Sequence, residues 1–221
     1  MRLSAEGLEV RRGSSVVLRE TDLAVEGGEI VAVAGANGSG KSTLLATFAG
    51  LLRPWQGRIR LDGRRVDGWP PPRLVRAGLS LVPQGRRVFR DLTVRQNLEV
   101  GGWVGGRQGV AARAGAFLER HPFLAERADV AAGSLSGGEQ SVLVLGRALM
   151  ARPRVLLLDE PLMGLDPSAA RGLLGHLTEL AAEGVAVLVV DHDREALDGV
   201  ASRVVVMAGG RPWPAGEGPR P

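Results

Sequence analysis

Directly after the apolar run Glu29–Ala34 and directly before the helical apolar pattern Leu44, Leu45, Phe48, Leu51, Leu52 stand Gly35, Ala36, Asn37, Gly38, Ser39, Gly40, Lys41 and Ser42, followed by Thr43. This G-x4-G-K-[ST] pattern requires a strand before it and a helix start after it. Its glycines let successive backbone N–H groups turn inward around phosphate oxygens, and the helix aims the positive end of its dipole at the same point. Lys41 is then placed to neutralise the β and γ phosphates of a nucleotide, and the Ser42 hydroxyl to hold Mg2+. The chain's own Gly, Lys and Ser+Thr frequencies predict only about 0.0015 chance matches. Lys41 is moreover the only lysine, the other 27 of the 28 basic side chains being Arg. A compact, flexible ammonium suits a phosphate here better than a planar fork.

A second acidic feature completes this chemistry. Val155–Leu158 reads as a buried strand that ends in Asp159 and Glu160. A carboxylate at such a strand end can hold Mg2+ through its water shell, and the acid beside it can accept a proton from an attacking water. Asp159 takes the first role and Glu160 the second; without Lys41 the pair would read as a solvated strand end. Guanine-nucleotide hydrolases and small-molecule kinases share the phosphate cradle and remain alternatives at this point. The guanine-reading sequence Asn-Lys-x-Asp is excluded, because the single lysine is already used.

Short strand candidates alternate with helical patterns from Ile30 onward: Glu29–Ala34, Leu79–Val82, Val155–Leu158 and Val185–Val190 are apolar enough to be covered on both faces. Leu8–Val10, Val16–Leu18 and Arg58–Leu61 read as antiparallel strands, the last leading into an Asp62-Gly63 turn. The expected fold is α/β, a P-loop NTPase (RecA-like) with a mostly parallel sheet, an N-terminal antiparallel β layer and an inserted helical subdomain. Residues 1–84 and 137–221 form the catalytic core with its β layer, and residues 85–136 form the insertion. Within the insertion, Val110–Glu119 and Leu124–Ala131 are expected as short helices; the Pro- and Gly-rich stretch 209–216 is expected to run along the surface or fray.

Composition removes other options. At 221 residues, 44% hydrophobic, the chain suits one domain. It has no cysteine, hence no disulfide or thiolate site, and no apolar run near the roughly 20 residues that span a bilayer. No apolar signal stretch follows Met1, so a cytoplasmic location is expected. The net charge of +4 and the pI near 10.9 reflect arginines scattered singly and in pairs, and aromatic residues are 4% of the chain. Neither a basic tail nor a stacking platform is present, so nucleic acid is not an expected partner.

Leu135, Ser136, Gly137, Gly138, Glu139 and Gln140 precede an apolar helix through Leu143, Leu145 and Leu149. Ser136 and the Gly137-Gly138 backbone make a second anion-binding helix start. One molecule needs only one phosphate cradle, so a second implies a second molecule. This segment resembles the signature of the ATP-binding cassette (ABC) ATPases, and the resemblance then covers most of the chain in the family's order. It implies that ATP is the nucleotide and that two ATPase domains close head to tail, the signature of one capping ATP held by the other. It makes Gln84 the glutamine that reaches Mg2+ or the attacking water and senses a transmembrane partner, Gly164-Leu165-Asp166 the loop running between subunits, and His192 the histidine at the γ phosphate. His121 and His176 carry no such placement and read as ordinary surface or capped positions.

Pro83–Phe89, Leu92-Thr93-Val94, Gln96-Asn97-Leu98 and Gly138–Met150 look most like the ATPase subunits of branched-chain amino-acid importers, with urea or short-amide systems as relatives. The implied partners are transmembrane permease subunits and a second ATPase subunit, a paralogue or the same chain, on the inner face of the cell membrane. One position departs from the family: where an aromatic residue usually stacks on adenine, Val10-Arg11-Arg12-Gly13 offers Arg12, which could stack its guanidinium on the base. A soluble ABC ATPase acting on nucleic acid or ribosomes is the alternative, disfavoured by a single cassette without heptad arms. A degenerate scaffold is disfavoured because Lys41, Ser42, Asp159, Glu160 and His192 are all present.

Overall fold

Where the alternating apolar residues of the central strands point decides the architecture. The computed structural model describes residues 1–106 and 108–214. Strands β3 (Ile30–Ala34), β7 (Val155–Asp159) and β8 (Ala186–Val190) are buried on both faces except at Asp159. They lie in a six-stranded sheet of order β10-β9-β3-β8-β7-β6, with β6 at Leu79–Val82, β9 at Arg203–Ala208 and β10 at Arg211–Pro214. All its neighbours are parallel except the β9–β10 edge pair.

Side chains alternate between the two faces of this sheet. Val31, Val33, Leu157, Leu188 and Val190 join one core with Leu44, Leu45 and Phe48 of helix α1 (Lys41–Phe48) and the inner face of a second, antiparallel sheet. That sheet has the order β2-β1-β4-β5, from β1 (Leu3–Arg12), β2 (Ser15–Val25), β4 (Gln56–Leu61) and β5 (Arg64–Arg65). Ile30, Ala32, Leu156, Leu158, Val187 and Val189 point the other way, onto α6 (Gly137–Leu149) and α7 (Pro167–Ala182). Helix α2 (Pro71–Arg76) leads into β6, and α8 (Arg194–Asp198) follows β8.

A third core holds α3 (Val94–Gly101), α4 (Val110–Arg120) and α5 (Pro122–Ala125), with Val94, Leu98, Phe117 and Leu124 packed on Leu143 and Met150. Helix α6 therefore belongs to two cores, giving Val144 and Leu145 to the sheet and Leu143 to the helical layer.

Two expectations need correction. The helix expected over Leu124–Ala131 ends at Ala125. Beyond it the chain continues in turns, Arg127 N–H donating to Leu124 O, Ala128 N–H to Ala125 O and Val130 N–H to Arg127 O, because the start of α3 claims the carbonyls of Ala128 and Val130 through Arg95 N–H and Val94 N–H. In the stretch 209–216, Gly209 and Gly210 make a turn with positive φ and Arg211–Pro214 pairs with β9. An edge strand needs donors on one side only, which is why Pro212 and Pro214 are tolerated there. The rest of that stretch lies outside the described residues.

Candidate functional site

Helix α1 opens without a side-chain cap: Gly40, at φ 106°, precedes it, and Lys41 is its first residue. With no side chain of its own on the first N–H groups, this start of α1 is open to an anion. Lys41 is 4% exposed, its Nζ donating to Gly35 O (2.6 Å) and Ala36 O (3.0 Å). The ammonium thus rests on the loop's own carbonyls, within the turn a phosphate would occupy. Ser39 Oγ is buried and finds no partner among the described residues, an orphan that a phosphate oxygen would satisfy. A Cβ on Gly38 would meet nothing within 4 Å, so the mouth of the loop is open.

Ser42 Oγ donates to Asp159 Oδ1 at 3.0 Å. That is close to the spacing of adjacent corners of an octahedron with bonds of about 2.0–2.1 Å, so the oxygen-only pair fits Mg2+. The Asp159 carboxyl is held above its ordinary range, chiefly by burial, with Glu160 and Asp191 adding and Ser42 and Lys41 opposing. A divalent cation there would reverse that balance.

Glu160 sits at φ 47°, and its carboxylate accepts from Gln84 Nε2 at 2.6 Å, so the strand ends of β6 and β7 deliver these two side chains to each other. Gly35, Ala36, Asn37, Gln84, Glu160 and His192 line a single open cleft of about 650 Å3. Thr43 is buried in the first turn of α1 behind it.

The residue that sequence reasoning missed is Asp191, fully buried between β8 and His192. Its Oδ1 accepts from His192 N (2.8 Å) and Asp193 N (3.1 Å), its Oδ2 from Leu162 N (3.1 Å), and His192 Nδ1 lies 3.3 Å from Oδ1. It ties the His192 loop to the turn after Glu160, while the imidazole stays 59% exposed and faces the cleft. The available signal was an acid closing a wholly apolar strand beside that histidine.

The second cradle is separate. Ser136, Gly137, Gly138, Gly164 and Asp166 line another open cleft, of about 620 Å3, which shares no lining residue with the first. Ser136 caps α6 by accepting from Glu139 N (3.3 Å), and the Glu139 carboxylate accepts from Ser136 N (2.7 Å). This capping box leaves the N–H groups of Gly137 and Gly138 without a side-chain partner. Asp166 caps α7 through Ser168 N and Ala169 N, bonds that lower its pKa. Arg12 is exposed at the end of the β1–β2 hairpin, paired with Ser15, and does not line the nucleotide cleft. That hairpin nonetheless touches the loop: a Cβ on Gly40 would come 2.8 Å from Leu18 Cδ2. Beside Arg12, Arg11 stacks over Trp55 at 4.6 Å.

A glycine loop feeding an uncapped helix, backed by a lysine and two strand-end acids, defines the P-loop nucleoside-triphosphatase class. Within that class, the ABC transporter family model matches residues 18–163. The chain is 39% identical over 209 residues to BraG, the high-affinity branched-chain amino acid transport ATP-binding protein of Pseudomonas aeruginosa, covering 95% of this chain and 90% of the relative. It is 42% identical over 216 residues to the Fe(3+) ions import ATP-binding protein FbpC of Streptomyces avermitilis, covering 96% of this chain but 61% of that one. A nucleotide-free ATP-binding cassette from an ABC transporter superposes with a TM-score of 0.88 at 27% identity, over 96% of this chain and 90% of that one. The chain belongs to the ABC transporter family, as an ATP-hydrolysing subunit coupled to transport.

Proposed function

We propose that this subunit powers an importer of branched-chain amino acids or related small polar solutes. The Gln84–Glu160 pair beside Lys41 and Ser42 carries the hydrolytic half of this reading. The solute half is supported by the 90% coverage of BraG, because FbpC extends well beyond the length this chain matches.

ATP would draw the Lys41 ammonium off Gly35 O and Ala36 O onto its β and γ phosphates, with Gly38, Asn37 and Ser39 wrapping the same oxygens. Ser42, Asp159 and Gln84 would hold Mg2+, which supplies charge neutralisation on the phosphates. Glu160, oriented by Gln84, takes a proton from water as the water oxygen bonds to the γ phosphorus and the bond to the β-phosphate oxygen breaks. His192, backed by Asp191, donates to the γ phosphate. Arg12 lies outside the phosphate cleft, on the hairpin that touches the loop at Gly40, and would stack on the base where the base extends beyond that cleft.

Ser136–Gly138 and Asp166 would cap ATP held by a second ATPase subunit, a paralogue or the same chain, in a head-to-tail pair. Residues 85–136 would serve as the helical subdomain that meets the permease subunits on the inner face of the membrane. No helix among the described residues is long and apolar enough to cross a membrane, so passage of solute requires those subunits. The Glu160→Gln variant is expected to bind ATP, trap the closed pair and lose at least about 100-fold in turnover. Wild-type phosphate release from that variant would remove the base assignment. Vesicles holding the subunit with its permeases should accumulate labelled leucine when loaded with ATP; uptake of ferric iron instead would overturn the solute class.

A further inference from the structure

The chain leaves β6 through Pro83 and Gln84, and then two successive residues, Gly85 (φ 91°) and Arg86 (φ 44°), take left-handed backbone. For Arg86 this conformation is strained, and it folds the side chain back across the turn that follows Glu160. The half-buried guanidinium donates from Nη2 to Met163 O at 2.6 Å. Its two flanks are glycines. A Cβ on Gly137, in the first turn of α6, would come 2.3 Å from Nη1, and a Cβ on Gly164 would come 2.9 Å from Nη2.

The Arg86 guanidinium forms no ion pair among the described residues, and its bond to Met163 O is the one side-chain hydrogen bond it makes there. A surface arginine recruited for charge would face a carboxylate; this one is wedged between two backbones where only glycines leave room. One of those backbones belongs to the Ser136–Gly138 cradle. The other belongs to the turn whose first residue is Glu160, and Gln84, two residues before Arg86, holds the Glu160 carboxylate.

We propose that Arg86 is a positioning residue that couples the two nucleotide sites: a shift of the first turn of α6, when phosphate docks on the cradle, reaches Met163 and Glu160 through its guanidinium. The coupling rests on the head-to-tail reading, in which the cradle serves the partner's nucleotide. Because close-packed contacts of this kind transmit displacement with little slack, occupancy of one site would set the geometry of the base at the other.

The test uses the full chain purified with its ATPase partner and permeases, and follows phosphate release against ATP concentration. Wild type is expected to show a Hill coefficient above 1. Arg86→Ala should lower kcat roughly five- to tenfold, leave half-saturation within about twofold, and bring the Hill coefficient to 1. Arg86→Lys, which keeps charge and stem but cannot fill both glycine flanks with a planar fork, should recover kcat only in part. If the residue only fills a gap, both variants lose thermal stability while kcat and cooperativity stay at wild-type values, and the proposal fails. A wild-type Hill coefficient of 1 also overturns it. A parallel arm measures, by sedimentation velocity, ATP-dependent association of Glu160→Gln with itself and with its ATPase partner. Absence of the closed pair there removes the head-to-tail reading itself, whereas a closed pair with unaltered Arg86→Ala kinetics removes the Arg86 role alone.

Discussion

Two single residues show how far the sequence reaches. Lys41 was legible because its chemistry is local: eight consecutive residues build its cradle, and the pattern names the neighbours it will have. It is buried, with its compact ammonium seated on Gly35 O and Ala36 O. Lys41→Arg should stay folded yet bind ATP at least about tenfold more weakly, as measured by fluorescent-nucleotide titration, since the planar fork cannot follow the ammonium's path onto the phosphates. Asp191 was not legible, because two of its partners lie at once in its own turn and a third, Leu162 N, arrives from a loop 29 residues earlier. In sequence it is one more acid at a strand end; only the folded chain closes it off from water. Asp191→Asn keeps an acceptor for His192 N and Asp193 N but turns an amide donor toward Leu162 N. Two donors then face each other without solvent, a loss of about 1–3 kcal/mol in urea denaturation. Unchanged stability would show that Leu162 N has another acceptor in solution.

Among elements, the parallel strand β9 does not read from the sequence, because Arg203 is exposed and Val204 and Val206 are only half-buried. The strands β3, β6, β7 and β8 could be placed almost to the residue, because strands covered on both faces must be apolar throughout. The edge strand β10 could not: Pro and Gly dominate its surroundings, and its pairing depends on β9 lying beside it. The same holds between α4, α5 and α7, where His121 and His176, read as ordinary positions, meet across the helical layer and the core. Their Nε2 atoms are 3.3 Å apart, and His121 Nδ1 lies 2.7 Å from Phe117 O, which places the proton of a neutral His121 on Nδ1. Arg120 from α4, Glu179 from α7 and Glu183 just after α7 line the same cleft. Burial is the main cause that lowers the His121 pKa from its ordinary 6.5, with His176 and Arg120 adding and Phe117 O and Glu179 opposing. A base whose folded pKa is depressed favours the folded state above its unfolded pKa. As pH falls below about 6.5 the unfolded chain takes up the proton first, and that stability is lost. The thermal midpoint should therefore decline from pH 7 to 5.5, and His121→Phe should flatten the decline. An equal slope in the variant would place the titrating group elsewhere.

At the scale of the whole molecule, the two clefts sit on one chain but share no lining residue. The proposed head-to-tail pair would make two composite sites, each from the Lys41 loop of one subunit and the Ser136–Gly138 cradle of the other. This arrangement can be read out by mixing two inactive variants. Lys41→Ala loses the loop and keeps the cradle; Gly138→Asp puts a carboxylate where phosphate would dock and keeps the loop. In a mixed pair, one composite site combines both defects and the other combines neither. If copies of this chain form the working pair, each variant alone should be silent, and the mixture should regain phosphate release. If the pair is made with a paralogue, the mixture stays silent and either variant retains one intact loop or cradle contributed to the paralogue's site. Adding purified paralogue to each variant separately then restores partial turnover, so rescue by self-mixing and rescue by paralogue assign the partner, and rescue by neither removes the composite site.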